Sequence, residues 1–449
     1  MASGTAAAAA TVRRCASGSL ITPPASWAST PFTALVGVRL PVVQAPTAPY
    51  SGPDQAAAVS NAGGLGSISA GLMDAEQLLA AVRRAKELTA LPFHVNLFQP
   101  PPPSHREPEI APEERRAVAR ALNPLRRRVG LADISPDDVT VPPDDLRAKF
   151  RSAAEIVERE KVPVVSVTFG PPDREWVRRW RDAGGIVFGT ATNVEEAVQM
   201  EADGVQGLWV QGAEGLDKEN LEALAALWLF FFHGHSDFDS TVSSDNELVA
   251  SSPAALTKFS KIQLEGIAGR ATTWTVDRDV GTIGTLALTR AVCKAVSIPV
   301  VAAGGIVDGR GVLGVMALGA SGAALGTAFL TSDECLAPKA HKEAVLRPDF
   351  GRSTILSRNY TGRLARGLPN DVTRALDALP WRLRDGPVTL HTRDIQAAAK
   401  QRGDSGLMTF FGGQAGGRGG YGSAGNLVRK LAQEVEEAIA ELTGCTAAL

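Results

Sequence analysis

At 449 residues, with Lys+Arg 46 against Asp+Glu 48, the chain carries a formal charge of -2 and no global field that would draw in nucleic acid or an anionic membrane. Its four cysteines, Cys15, Cys293, Cys335 and Cys445, lie far apart and form neither a CxxC pair nor a metal-ligand cluster. The pattern is that of a reduced, intracellular protein with a small-molecule partner, and the length allows one large domain with additions.

Residues 1–34 are rich in Ala, Ser and Thr, include Arg13 and Arg14, and contain no acidic residue. Two readings stand: a disordered Ala-rich tail, or a mitochondrial or plastid transit peptide ahead of an otherwise cytoplasmic protein. No membrane span is expected, because the longest apolar run checked, Ala223 to Phe232, has about half of the roughly 20 residues a transmembrane helix needs.

From Pro41 onward, short apolar β-branched runs alternate with helical patterns, the signature of βαβ units and a parallel sheet. The strand runs are Val42–Ala45, Gly66–Ser69, Phe93–Leu97, Val164–Phe169, Ile186–Gly189, Leu208–Gln211, Val300–Ala303 and Ala323–Gly326. Between them, Asp74–Leu88, Asp173–Asp182, Val194–Ala202 and Gly309–Leu318 show helical spacing. Eight such repeats predict an α/β fold, a (β/α)8 TIM barrel over residues 35–335.

Two segments interrupt the rhythm. Gln99–Pro143 opens with prolines and carries Arg126, Arg127 and Arg128, which predicts a solvated excursion on the barrel rim. Gly215–Ile267 is a long insertion after strand six, far beyond the usual βα loop of about 2 to 6 residues. Beyond the barrel, residues 336–449 read as a smaller, mainly helical appendage with Gly-rich stretches at Tyr360–Gly367 and Gly412–Gly422 and a last helix from Asn426 to Leu442.

In a parallel barrel the active site lies at the C-terminal ends of the strands, and phosphate commonly binds in the loops after strands seven and eight. Gly304-Gly305 ends the seventh run and Gly326-Thr327 the eighth, each just before a helical start. Glycine lets backbone N–H groups approach phosphate oxygens, and a helix N-terminus adds its dipole.

Over about Leu35 to Gly416 the chain resembles the nitronate monooxygenases, once called 2-nitropropane dioxygenases. The matching motifs are Gln44-Ala45-Pro46, Ser60-Asn61-Ala62-Gly63-Gly64-Leu65-Gly66, Pro92-Phe93-His94-Val95-Asn96, Gln211-Gly212-Ala213-Glu214, Ala302-Ala303-Gly304-Gly305-Ile306, Leu318-Gly319-Ala320, Gly326-Thr327 and Gly413-Gln414-Ala415-Gly416. The resemblance implies an FMN-dependent barrel that oxidises nitronates, and in some members nitroalkanes, with O2 to carbonyl compounds and nitrite. It assigns the flavin to Gln44, Ala45, Asn96, Gln211, Gly269, Gly304, Gly305, Gly326 and Thr327.

One expected residue is missing. The family continues Gln-Gly-Ala-Glu with Ala-Gly-Gly-His, and that His is its candidate base. Here the pattern resumes only at Ala268-Gly269-Arg270, without the second Gly and the His. Replacements to weigh are His94, which shares a strand face with Asn96, and His233 and His235 inside the insertion. The insertion reads either as an unspliced or mispredicted piece of gene displacing Gly-His or as a lid. Two other functions compete: an FMN-dependent reductase similar to the enoyl-acyl-carrier-protein reductases, and a flavoprotein inactivated by the insertion.

Overall fold

The computed structural model describes residues 27–100, 110–140, 146–212, 283–360, 365–379, 387–417, 419–420 and 422–443. The insertion at 215–267, with His233 and His235, lies outside the described residues, as do Gly269 and the tail 1–26.

Eight parallel strands form one sheet: β1 (Val42–Gln44), β2 (Gly66–Ser69), β3 (Phe93–Phe98), β4 (Val164–Thr168), β5 (Ile186–Ala191), β6 (Gly207–Gln211), β7 (Val300–Ala303) and β8 (Gly322–Leu325). Neighbours in sequence are neighbours in space, and β8 pairs with β1. Between β1 and β2 the circle closes through Leu65, whose N–H donates to the Val42 carbonyl at 2.9 Å while its own carbonyl accepts from Gln44 N–H at 3.0 Å. This is the expected (β/α)8 barrel, and the C-terminal part of the chain is helical.

Helices with apolar stripes alternate with the strands. Ala75–Leu88, started by the Asp74–Gln77 capping box, buries Leu78, Ala81, Val82 and Ala85. These meet the outward residues of the strands, such as Ile68, Val95, Leu97 and Val165, in the largest core. The helix that completes the eighth unit comes late: Ala424–Thr443 sets Leu427, Val428, Leu431 and Val435 against Val59, Val312 and Val315 of the barrel helices Pro53–Asn61 and Gly309–Ala317. A Cβ on Gly309 would stand 2.5 Å from Glu434 Cβ, so glycine permits this close approach.

Among the described residues, two long excursions leave the barrel from the C-terminal ends of strands, one after β3 and one after β8, and they share a core. Ile110, Val118, Leu122, Val129 and Val139 of the first pack with Val345, Phe350, Val372, Leu376, Ile395 and Leu407 of the second. The first was expected to be a solvated rim. Instead, the helix Pro112–Arg128 carries an apolar stripe behind its charges, and Arg126 is buried, donating to the Ala132 carbonyl at 2.7 Å and to Asp394 at 2.6 Å. Arg128 bonds Asp371 at 2.6 Å and Asp404 at 2.7 Å, while Arg127 points to solvent. Hydrophobic burial groups residues 110–139 with the later segment and returns the last helix to the barrel.

Candidate active site

Side chains alternate along each strand, so one in two faces the barrel axis. At the N-terminal end this inner column is apolar. Val43, Leu65, Val164, Phe188, Trp209, Val301 and Ala324 close around Phe32, which enters from the segment before β1 and is fully buried. Phe188 stacks on Trp209 with ring centroids 4.4 Å apart, and both meet Phe32 edge-on.

Above that plug the column turns polar: Ser67 and Ser69 on β2, His94 and Asn96 on β3, Ser166 and Thr168 on β4, Thr190 on β5 and Gln211 on β6. His94 marks the boundary, with Trp209 at 5.3 Å between ring centroids and a serine on each ring nitrogen, Ser67 Oγ at 2.8 Å from Nδ1 and Ser166 Oγ at 2.6 Å from Nε2. It has no exposed surface, and burial pushes its pKa down to about 3. Asn96 Nδ2 donates to Ser166 Oγ at 2.8 Å and Thr168 Oγ1 at 2.9 Å, and Thr168 meets Thr190 at 3.1 Å.

At the mouth, Gly304 and Gly305 follow β7 with φ of 115° and 68°, the left-handed region that glycine occupies without a Cβ clash. Gly326 and Thr327 follow β8. A Cβ on Gly326 would stand 3.5 Å from Thr47 Cγ2 and 3.9 Å from Ala45 Cβ, so the β1 and β8 loops meet here. Thr327 Oγ1 accepts from Gly413 N–H at 2.8 Å, which folds the late glycine motif onto the same loop. Gln211 ends β6, and the next residue, Gly212, donates its N–H to the Ala303 carbonyl at 3.1 Å. The structure thus gathers Ala45, Asn96, Gln211, Gly304, Gly305, Gly326 and Thr327 at the C-terminal end of one barrel. Gln44 lies deeper: its Oε1 accepts from Ser67 N–H at 2.8 Å and its Nε2 donates to Ser51 Oγ at 2.8 Å, so its amide ties the β1 loop to β2.

No described imidazole opens onto the mouth. His341 and His391 belong to the second core, with ring nitrogens 2.7 Å from the Phe411 carbonyl and 3.2 Å from the Thr140 carbonyl, and burial lowers both pKa values. A cleft of about 440 Å³ lined by Arg174, Arg178, Arg181 and Asp203 adjoins the turns that enter β5 and β6, the end of the barrel opposite the mouth.

The model of the family described as nitronate monooxygenase matches residues 29–216 and 265–434, leaving out 217–264, which fall within the long interval after β6. The chain belongs to the nitronate monooxygenase family. The nitronate monooxygenase of Pseudomonas aeruginosa is 33% identical over 90% of this chain and 98% of its own, and a probable nitronate monooxygenase of Staphylococcus saprophyticus is 30% identical over 91% and 98%. Among solved structures, nitroalkane oxidase from Streptomyces ansochromogenes is 33% identical with a TM-score of 0.68, covering 92% of this chain and 100% of that one. FabK from Thermotoga maritima, 21% identical with a TM-score of 0.60 over 93% of this chain and 99% of that one, shares the fold.

This member of the nitronate monooxygenase family is an oxidoreductase with a small-molecule substrate. Among the described residues no helix is long and apolar enough to cross a membrane, and none of the described His, Cys, Asp and Glu cluster in a set that could hold a metal ion. Sequence reasoning missed Ser67, Ser69, Ser166, Thr168 and Thr190. Their signal was the spacing of two in otherwise apolar strands, Ser67-Ile68-Ser69 and Ser166-Val167-Thr168.

Proposed function

We propose that this chain is an FMN-dependent nitronate monooxygenase that oxidises alkyl nitronates with O2 to carbonyl compounds and nitrite. The observation that carries the reading is the mouth itself: two glycine turns after β7 and β8 face a column of amides and hydroxyls. The residues fit the cofactor. Neutral backbone donors at Gly304, Gly305, Gly326 and Thr327 suit a phosphate, while Asn96, Gln211 and the buried, unpartnered Ser69 hydroxyl suit the polar edge of an isoalloxazine. When bound, FMN supplies the two-electron acceptor that this chemistry needs.

What the chain's own residues do follows from their protonation. Amides and hydroxyls bind and orient, but none of them takes a proton from carbon at neutral pH. His94 is no base either, since both its nitrogens are hydrogen-bonded and it lies below the mouth. A nitronate, already an anion, asks for no base, whereas a neutral nitroalkane does. Among the described residues no imidazole opens onto the mouth, so we assign the nitronate as substrate and give His94 no proton-transfer role.

The test is nitrite release from propyl-2-nitronate and from 2-nitropropane, with flavin content recorded on the same sample. Bound FMN with faster turnover of the nitronate supports the reading. Anaerobic reduction of the flavin by NADH but not by nitronate would overturn it in favour of a reductase, and protein that retains no FMN would overturn it outright.

A further inference from the structure

The buried chain beneath the mouth has one direction, and it can be read from its lower end. The Gln44 carbonyl can only accept, so Ser67 Oγ, 2.5 Å away, spends its single proton there. Ser67 Oγ must then accept from His94, which puts the ring proton on Nδ1. In a neutral ring Nε2 is left as a lone pair, and Ser166 Oγ at 2.6 Å donates to it. With its proton committed, Ser166 can only accept from Asn96 Nδ2, whose second proton goes to Thr168 Oγ1. The carboxamide oxygen of Asn96, which accepts from no described residue, is the open end.

Neutrality of His94 follows from its place as well. It is fully buried, and its partners are two serines and the Trp209 ring, none of them charged. A second ring proton would reverse the upper half of the chain, because Nε2–H would donate to Ser166 and free the serine to donate to Asn96.

We propose that His94 is a positioning residue: its Nδ1–H tautomer fixes every proton from the Gln44 carbonyl upward and obliges Asn96 to offer an acceptor oxygen to the ring that binds at the mouth. The complementary ligand atom is an N–H, which the imide of an isoalloxazine carries at N3. The ligand half of this inference rests on the FMN reading given above; the tautomer half does not.

The first arm of the test is NMR of the full chain labelled with [15N]histidine, the His94 signals assigned by their loss in His94→Gln. The expected pattern is a neutral ring protonated on Nδ1, unchanged between pH 5 and 8. A ring protonated on Nε2, or one that titrates in that range, overturns the proposal. The second arm compares affinity for FMN and 3-methyl-FMN, which lacks the N–H. Loss of one hydrogen bond to a buried acceptor predicts that wild type disfavours 3-methyl-FMN by about tenfold. His94→Gln, whose Oε1 can still take the Ser166 proton, should retain that preference, and His94→Leu should lose it. Equal binding of the two flavins by wild type, or an undiminished preference in His94→Leu, overturns the role. If neither flavin binds wild type, the cofactor reading fails while the tautomer measurement still decides on His94.

Discussion

The two halves of the barrel interior are built for opposite ends. Below His94 the column is Phe32, Phe188 and Trp209 in close ring contact, apolar residues that contribute burial and nothing chemical. Above it, Ser69, Asn96, Thr168, Thr190 and Gln211 leave polar atoms at the mouth, in the layer where a parallel barrel keeps its chemistry. Stability and function are thus separable along one axis within a few residues. Only β2, β3 and β4 carry the polar pattern down to the middle layer, through Ser67, His94 and Ser166.

The hardest way to break this comparison is to open the plug. Phe32→Ala removes a fully buried ring from an aromatic cluster and is expected to cost about 3 to 5 kcal/mol. Urea unfolding measures the loss, and FMN titration on the folded fraction should show unchanged affinity. An affinity that falls as steeply as stability would mean that the lower half shapes the mouth after all.

Next in size is an effect of pH at the boundary. His94 is held down to about 3 in the folded chain, against an ordinary value near 6.5 in the unfolded one. Below pH 6.5 the unfolded chain therefore binds the extra proton, so stability present above 6.5 is lost as pH falls toward 3. Between pH 6.5 and 5 the loss is about 2 kcal/mol from this residue alone. In His94→Gln the urea midpoint should fall less over that interval than in wild type. His341 and His391 are lowered by burial too, so some slope should persist.

Much of this contrast was legible beforehand, and the gaps have physical reasons. Strands are short local signals, so Val164–Phe169 and Ile186–Gly189 predicted β4 and β5 within two residues at their ends. The glycine turns were legible because a left-handed backbone needs that residue. The sharing of a face by His94 and Asn96 was legible from a spacing of two, but the depth of His94 was not, since depth depends on the stagger of neighbouring strands. Ser67 and Ser166 were only partly legible, because their spacing of two from Ser69 and Thr168 marks a shared strand face but not the imidazole that each one meets. The charges of Arg126 to Arg128 hid the apolar stripe Val118, Leu122 and Val129, and the partner of the last helix lies far away in sequence.

A smaller effect tests whether the mouth itself is strained. Gly305 holds φ of 68°, and an alanine there should cost about 1 to 2 kcal/mol for the left-handed backbone. If the turn also cradles a phosphate, Gly305→Ala should lower FMN affinity more than it lowers stability. A purely structural turn would lose stability alone.

The smallest effect is expected where the late glycine motif is tied to the turn after β8. Thr327 Oγ1 accepts from Gly413 N–H at 2.8 Å, and Thr327→Val removes that acceptor while keeping the branched shape. One hydrogen bond is worth about 1 kcal/mol, so global stability should change little. Because Thr327 opens the turn that follows β8, its own N–H and its hold on Gly413 act at the same place. FMN should therefore dissociate several-fold faster in Thr327→Val, read by loss of flavin absorbance on dilution, while Phe32→Ala leaves that rate alone. Equal dissociation rates in the two variants would show that the upper half does not control the cofactor independently of the lower one.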